Sequence, residues 1–81
     1  MKALIVGALG IMGNHVINAV NASGNECVAF VDIKYGEDRK SNEYVKISDV
    51  KENADVIIDF SFHGLTKEIT DYAIKTGTPA V

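Results

Sequence analysis

Apolar residues in this chain fall into short unbroken runs, separated by stretches where they recur every three or four positions. The first run, Ala3 to Val6, contains β-branched residues and stops at Gly7, which predicts a buried strand. Past the glycines, Gly13, Val16, Ile17 and Val20 stand at i, i+3, i+4 and i+7, the stripe of a helix laid on a sheet. Ser23-Gly24-Asn25 ends that helix, with Gly24 as its left-handed cap. Cys27 to Val31 is a second continuous run and ends at Asp32. Unbroken apolarity, rather than alternation, is the mark of strands covered on both faces, as in parallel sheets.

The interval from Lys34 to Glu43 carries six charged residues and reads as a solvated loop. Tyr44-Val45-Lys46-Ile47 is expected to form a short third strand. Asp49 with Glu52 three residues on fits a capping box opening a helix of one or two turns. Asp55 to Phe60 is a strong buried strand. Leu65, Ile69, Tyr72 and Ala73 return to helical spacing, and Gly77 with Pro79 closes that helix. Thr78-Pro79-Ala80-Val81 opens a further strand. The predicted order is β-α-β-β-α-β-α-β, an α/β chain forming a doubly wound parallel sheet that breaks off after the start of its fifth strand. On this reading residues 1–81 are one domain, the first part of a larger protein.

Composition narrows the function classes. Eighty-one residues make one small domain that buries about 60–65% of its unfolded surface, so the core is marginal. Eight Lys and Arg against eleven Asp and Glu give a net charge of −3, which argues against a nucleic-acid partner. No apolar run approaches the roughly 20 residues that cross a bilayer, and the N-terminal run is too short for a signal-peptide core. A single cysteine, Cys27, leaves no intramolecular disulfide and no multi-cysteine metal cluster. The expectation is a soluble, cytoplasmic unit with no membrane partner, no metal site and Cys27 as a reduced strand residue.

The chemistry concentrates where the first strand meets the first helix. Gly7-Ala8-Leu9-Gly10-Ile11-Met12-Gly13 spans that junction. There Gly7 turns the chain off the strand, Gly10 lets backbone approach a pyrophosphate, and Gly13 allows close packing of helix on sheet. The helix start adds free N–H groups and a positive dipole end. Asp32 closes the second strand about 20 residues on, where a carboxylate accepts the ribose hydroxyls of an adenosine. Together these make a Rossmann-type dinucleotide fingerprint. A tight turn with no ligand and an ordinary strand-ending aspartate remain the alternatives. A carboxylate at Asp32 repels a 2′-phosphate and favours NAD, while Lys34 or Arg39 leaves NADP open.

The segment Asp59-Phe60-Ser61-Phe62-His63-Gly64 leaves the carboxyl end of the fourth strand, where ligands sit in open α/β sheets. Ser61 is a candidate for the ribose–nicotinamide path. Phe60 and Phe62 fit core packing better than a base-flanking role. His63 has no visible partner for acid–base work, His15 is expected to be solvated, and Asp59 fits a hydrogen-bonded structural carboxylate. No residue of the chain is assigned a catalytic role.

Two pieces together resemble the dihydrodipicolinate reductase family. Val6-Gly7-Ala8-Leu9-Gly10-Ile11-Met12-Gly13 is similar to its glycine loop, which usually ends in Met-Gly, and Ala54 to Ser61 is similar to its fourth strand with an Asp-Phe-Ser or Asp-Phe-Thr ending. The resemblance implies an N-terminal cofactor-binding domain of a reductase that uses NADH or NADPH on 4-hydroxy-tetrahydrodipicolinate, in lysine and diaminopimelate biosynthesis. It implies that Gly7, Ala8, Leu9, Gly10, Ile11 and Met12 hold the pyrophosphate and Asp32 the adenosine ribose. It also implies that the catalytic motif and a small-molecule substrate belong to a later domain of a homo-oligomeric parent, so that these 81 residues are inactive alone. Three positions depart from the family: Ile11 replaces a common Arg or Lys, Ile33 replaces an Arg found in some members, and His63 replaces a common Pro. The first two favour NAD.

Two other classes share parts of the pattern. An extended short-chain dehydrogenase or epimerase has a similar glycine loop, but its fourth strand leads into a small-residue segment unlike Asp59-Phe60-Ser61-Phe62. β-Hydroxyacid dehydrogenases share Leu9 to Gly13 but carry Gly at the position of Ala8. A non-catalytic NAD(H)-sensing module would use the same fold for regulation.

Overall fold

The computed structural model describes residues 1–61 and 65–81. Strand β1 (Lys2–Val6) leads into helix α1 (Ile11–Ala22), and β2 (Glu26–Val31) runs beside β1 in the same direction. A two-residue β3 (Glu43–Tyr44), a 3₁₀ turn (Ile47–Asp49), β4 (Val56–Asp59) and helix α2 (Thr66–Thr76) follow. The strands pair in parallel in the order β3-β2-β1-β4. Chain order reverses direction across β1, so β1 is the point where the sheet winds outward on both sides. The expected doubly wound α/β architecture is what the chain adopts.

Each face of the sheet has its own core, because alternate side chains of a strand point to opposite sides. Ala3 and Ile5 of β1 face α1 and pack with Val16, Ile17, Val20, Phe30 and Ile58. Leu4 and Val6 face α2, with Ala29, Val31, Ile57, Ile47 and Ile69. Both helices therefore bury the stripes that their spacing marks. Pairing of β1 with β2 slips by one residue between Ala3↔Cys27 and Leu4↔Ala29, a bulge that Val28 absorbs. Cys27 is a half-buried free thiol, and burial raises its pKa.

Two local expectations are corrected. The third strand lies at Glu43–Tyr44 rather than Tyr44–Ile47. The Phe30 and Asp32 N–H groups donate to the Asn42 and Tyr44 carbonyls, so the pairing is complete before Val45. The chain then bends and sends Ile47 into the α2-side core as part of the 3₁₀ turn. Asp49 ends that turn instead of capping a helix. Glu52 does not close a capping box either; its Oε1 accepts the Tyr44 hydroxyl at 2.7 Å.

The predicted last strand is present as a single parallel bridge, Ile57↔Ala80, on the free edge of β4. The Ile57 N–H donates to the Pro79 carbonyl, and Val81 N–H donates to the Ile57 carbonyl, both at 2.8 Å. Phe62, His63 and Gly64 lie outside the described residues. No helix among the described residues is long and apolar enough to cross a membrane.

Candidate functional site

The carboxyl ends of β2, β1 and β4 stand side by side, and three short segments leave them in contact with one another. The β1–α1 loop is held down first. Gly7 and Ala8 N–H groups both donate to the Val31 carbonyl at the end of β2, at 2.8 and 3.3 Å. Gly7 adopts φ +84°, and a Cβ there would lie 2.7 Å from the Phe60 carbonyl carbon and 2.9 Å from the Ser61 nitrogen. Only glycine accepts both the left-handed backbone and the approach of β4. Gly13, in the first turn of α1, is buried, and a Cβ on it would meet the Gly7 carbonyl oxygen at 2.3 Å. The loop and the helix start are thus fixed to the sheet by two positions that cannot carry a side chain.

Asp32 locks the loop from the other side. Its carboxylate is buried, with Oδ2 accepting the Leu9 N–H and Oδ1 the Lys34 N–H, both at 2.9 Å. One side chain therefore ties the glycine loop to the segment after β2. Each oxygen keeps a further lone-pair direction.

The N–H groups of Gly7, Ala8, Leu9 and Gly10 are all engaged internally, Gly10 donating to the Gly7 carbonyl at 3.2 Å. Those of Ile11, Met12 and Gly13 have no partner among the described residues. No side chain caps α1, and no acidic residue sits in its first turn. An uncapped helix start aimed at the strand ends is the donor set that a pyrophosphate requires. Leu9, Ile11 and Met12 are exposed around it. The predicted loop residues thus divide into those that shape the turn and those that present free donors.

Ser61 lies on the far side of Gly7. Asp59 Oδ1 accepts both the Ser61 N–H at 2.8 Å and the Ser61 hydroxyl at 2.6 Å. The hydrogen-bonded role expected for Asp59 is the one seen, with Ser61 as its partner. Phe60 is half-buried, its N–H donating to the Val6 carbonyl at 2.8 Å.

Two features of the site were not readable from the sequence. The first is a groove of about 580 Å³ on the α2 face, lined by Val31, Ile33, Ile47, Leu65, Ile69 and Tyr72 among others. It reaches the end of β2 through Val31 and Ile33, the two chain neighbours of Asp32, and only the spacing of Leu65, Ile69 and Tyr72 hinted at an apolar wall. The second is Tyr35, two residues past Ile33, whose hydroxyl pKa is pushed up to about 12 by burial and then by the Glu43 and Asp32 carboxylates. Arg39, a sequence candidate for phosphate pairing, instead donates to the Gly36 carbonyl of its own loop at 2.9 Å. Among the described residues no group of His, Cys, Asp and Glu is arranged to hold a metal.

Comparison with protein families decides the lineage: residues 1–81 match the family described as dihydrodipicolinate reductase, N-terminus. The chain belongs to this family. No curated protein matches it. As a dihydrodipicolinate reductase N-terminal domain it is the dinucleotide-binding part of an oxidoreductase, and its cofactor class is a nicotinamide dinucleotide. The uncapped start of α1, the Asp32 carboxylate and the absence of a Cβ at Gly7 and Gly13 fit such a cofactor.

Proposed function

We propose that this domain holds NADH in preference to NADPH, for a reductase that acts on 4-hydroxy-tetrahydrodipicolinate in lysine and diaminopimelate biosynthesis. The observation that carries the cofactor reading is the Asp32 carboxylate bridging the Leu9 and Lys34 N–H groups directly behind the glycine loop. Its remaining lone pairs accept the adenosine ribose hydroxyls. The N–H groups of Ile11 and Met12 receive the pyrophosphate, within the cradle shaped by Gly7, Ala8, Leu9 and Gly10. The adenine enters the apolar groove past Ile33, and Ser61 lines the path of the nicotinamide ribose. When bound, the nicotinamide supplies the hydride. Family membership supports the substrate and pathway, whose reacting groups these 81 residues do not hold; they bind cofactor and turn nothing over alone.

Charge decides between the two cofactors. A 2′-phosphate on the adenosine ribose would stand against the Asp32 carboxylate, and like charges at such distances repel by several kcal/mol at roughly protein-surface dielectric. Ile33 offers it no cation, which leaves the exposed Lys34, whose N–H Asp32 accepts, as the neighbouring positive charge. Arg39 is turned into its own loop, and Glu43 adds negative charge near Tyr35.

Calorimetric titration with NADH and NADPH at two salt concentrations tests this. NADH is expected to bind more tightly, and Asp32→Ala to weaken it at least about tenfold through loss of charge-assisted hydrogen bonds. Tighter, salt-sensitive NADPH binding would overturn the preference. Undiminished NADH binding by Asp32→Ala would overturn the placement of the cofactor.

A further inference from the structure

Resting on that cofactor reading, we infer that Asp59 is a positioning residue which fixes the Ser61 hydroxyl as a hydrogen-bond acceptor for the nicotinamide-side ribose. A serine hydroxyl has one proton and two lone pairs. Here the proton is committed to Asp59 Oδ1 at 2.6 Å, a short charge-assisted bond, and the Ser61 N–H is held by the same oxygen at 2.8 Å. The hydroxyl can rotate only by breaking that bond, so Ser61 offers a ligand its lone pairs alone. A pyrophosphate oxygen, itself only an acceptor, is rejected there, whereas a ribose hydroxyl is a matching donor.

Topology says which ribose. The sheet order places β2, β1 and β4 side by side, with Asp32 leaving β2, the glycine loop leaving β1 and Ser61 leaving β4. A dinucleotide whose adenosine ribose lies at Asp32 and whose pyrophosphate lies over β1 brings its other ribose to β4. Ser61 abuts the loop itself, since its nitrogen is 2.9 Å from where a Gly7 Cβ would be. A ribose hydroxyl donating to Ser61, which donates to Asp59, forms a polarised chain ending on a carboxylate.

The test titrates the whole chain with NADH and, separately, with ADP, which lacks the second ribose. Ser61→Ala and Asp59→Ala should each weaken NADH about fivefold, the effect of one hydrogen bond, and leave ADP unchanged. The double variant should lose no more than either single one, because the two residues act as a unit. Ser61→Thr should keep NADH affinity; Asp59→Asn, which keeps an acceptor but loses the charge, should weaken NADH less than Asp59→Ala does and leave ADP unchanged, and Ser61→Ala carries the test where Asp59→Ala does not fold. Unchanged NADH affinity in Ser61→Ala, losses that multiply in the double variant, or an equal fall in ADP affinity would each overturn the inference. If NADH does not bind the unaltered chain, or Asp32→Ala leaves NADH and ADP unaffected, the cofactor reading fails and takes this inference with it.

Discussion

Helix α1 sits hard against one face of the sheet, and helix α2 stands off the other. On the α1 side, Gly13 brings backbone against backbone at the Gly7 carbonyl, and Val16, Ile17 and Val20 fill the remaining contact with Ala3, Ile5 and Ile58. On the α2 side, Ile69 is the one fully buried residue of the helix, and Leu65 and Tyr72 pack at the margin. The space left between α2 and the 3₁₀ turn is the groove that Val31 and Ile33 also line. The difference follows from what each face presents to a dinucleotide. A phosphate cradle made of backbone N–H groups works only if the helix start is immobile, so that face is packed to contact. On the proposed cofactor placement the other face takes the base, and it is the face left partly unfilled.

The largest effect should come from adding one carbon to the tight face. A Cβ at position 13 lies 2.3 Å from a carbonyl oxygen that cannot step aside without moving the loop. Gly13→Ala should therefore destabilise the domain by about 3 kcal/mol, at the upper end of overpacking costs, in urea denaturation. Gly10→Ala is the internal control: its nearest neighbour is 3.4 Å from the added carbon, and its φ of −76° suits any residue. It should cost less than about 1 kcal/mol while still weakening NADH. Equal losses at the two positions would mean that α1 is not held by contact at Gly13.

The complementary experiment removes carbons from the open face. Ile69 is buried, yet it borders a groove into which neighbours can relax. Ile69→Ala should cost about 2 kcal/mol, the low end for such truncations, because the site can collapse. One methyl added to the α1 face would then do more harm than several carbons deleted from the α2 face. A loss above about 4 kcal/mol at Ile69 would show the α2 face to be as tightly packed as the other.

This asymmetry was half legible in the residues. Unbroken apolar runs from Ala3 and Cys27 located the two central strands, because a strand covered on both faces has no polar side to display. The roles of Gly7 and Gly13 followed from their places at a strand end and in a helical stripe. Val45 and Ile47 misled, since their alternation suits a strand equally well. Only the register of β2, which completes its bonds at Asn42 and Tyr44, shows that the chain has already turned. Glu52 satisfied the spacing of a capping box but accepts from the Tyr44 hydroxyl, eight residues back in the chain. The groove was invisible for a different reason. It is a volume left between elements, and no residue pattern encodes how far a helix stands from a sheet. The Asp59–Ser61 bond depends on a side-chain rotation that a two-residue spacing permits without requiring.

The smallest effect separates the faces by pH. Tyr35 packs in the α1-side cluster, with its pKa pushed from 10.0 to about 12, chiefly by burial. Tyr44 and Tyr72 pack on the α2 side and are also shifted upward, Tyr44 mainly by its hydrogen bond to Glu52 and Tyr72 mainly by burial. A tyrosine whose pKa is higher in the folded chain binds its proton more tightly there. Its stabilising contribution is full below the unfolded value of about 10 and falls as pH rises through the folded value. Urea denaturation should thus show stability declining from pH 10 to about 12. Tyr35→Phe should flatten that decline more than Tyr72→Phe does, because at Tyr35 the Glu43 and Asp32 carboxylates add to burial and make its upward shift the larger. An equal or greater flattening by Tyr72→Phe would assign the alkaline sensitivity to the open face instead and remove the phenol of Tyr35 as a reporter of α1 packing.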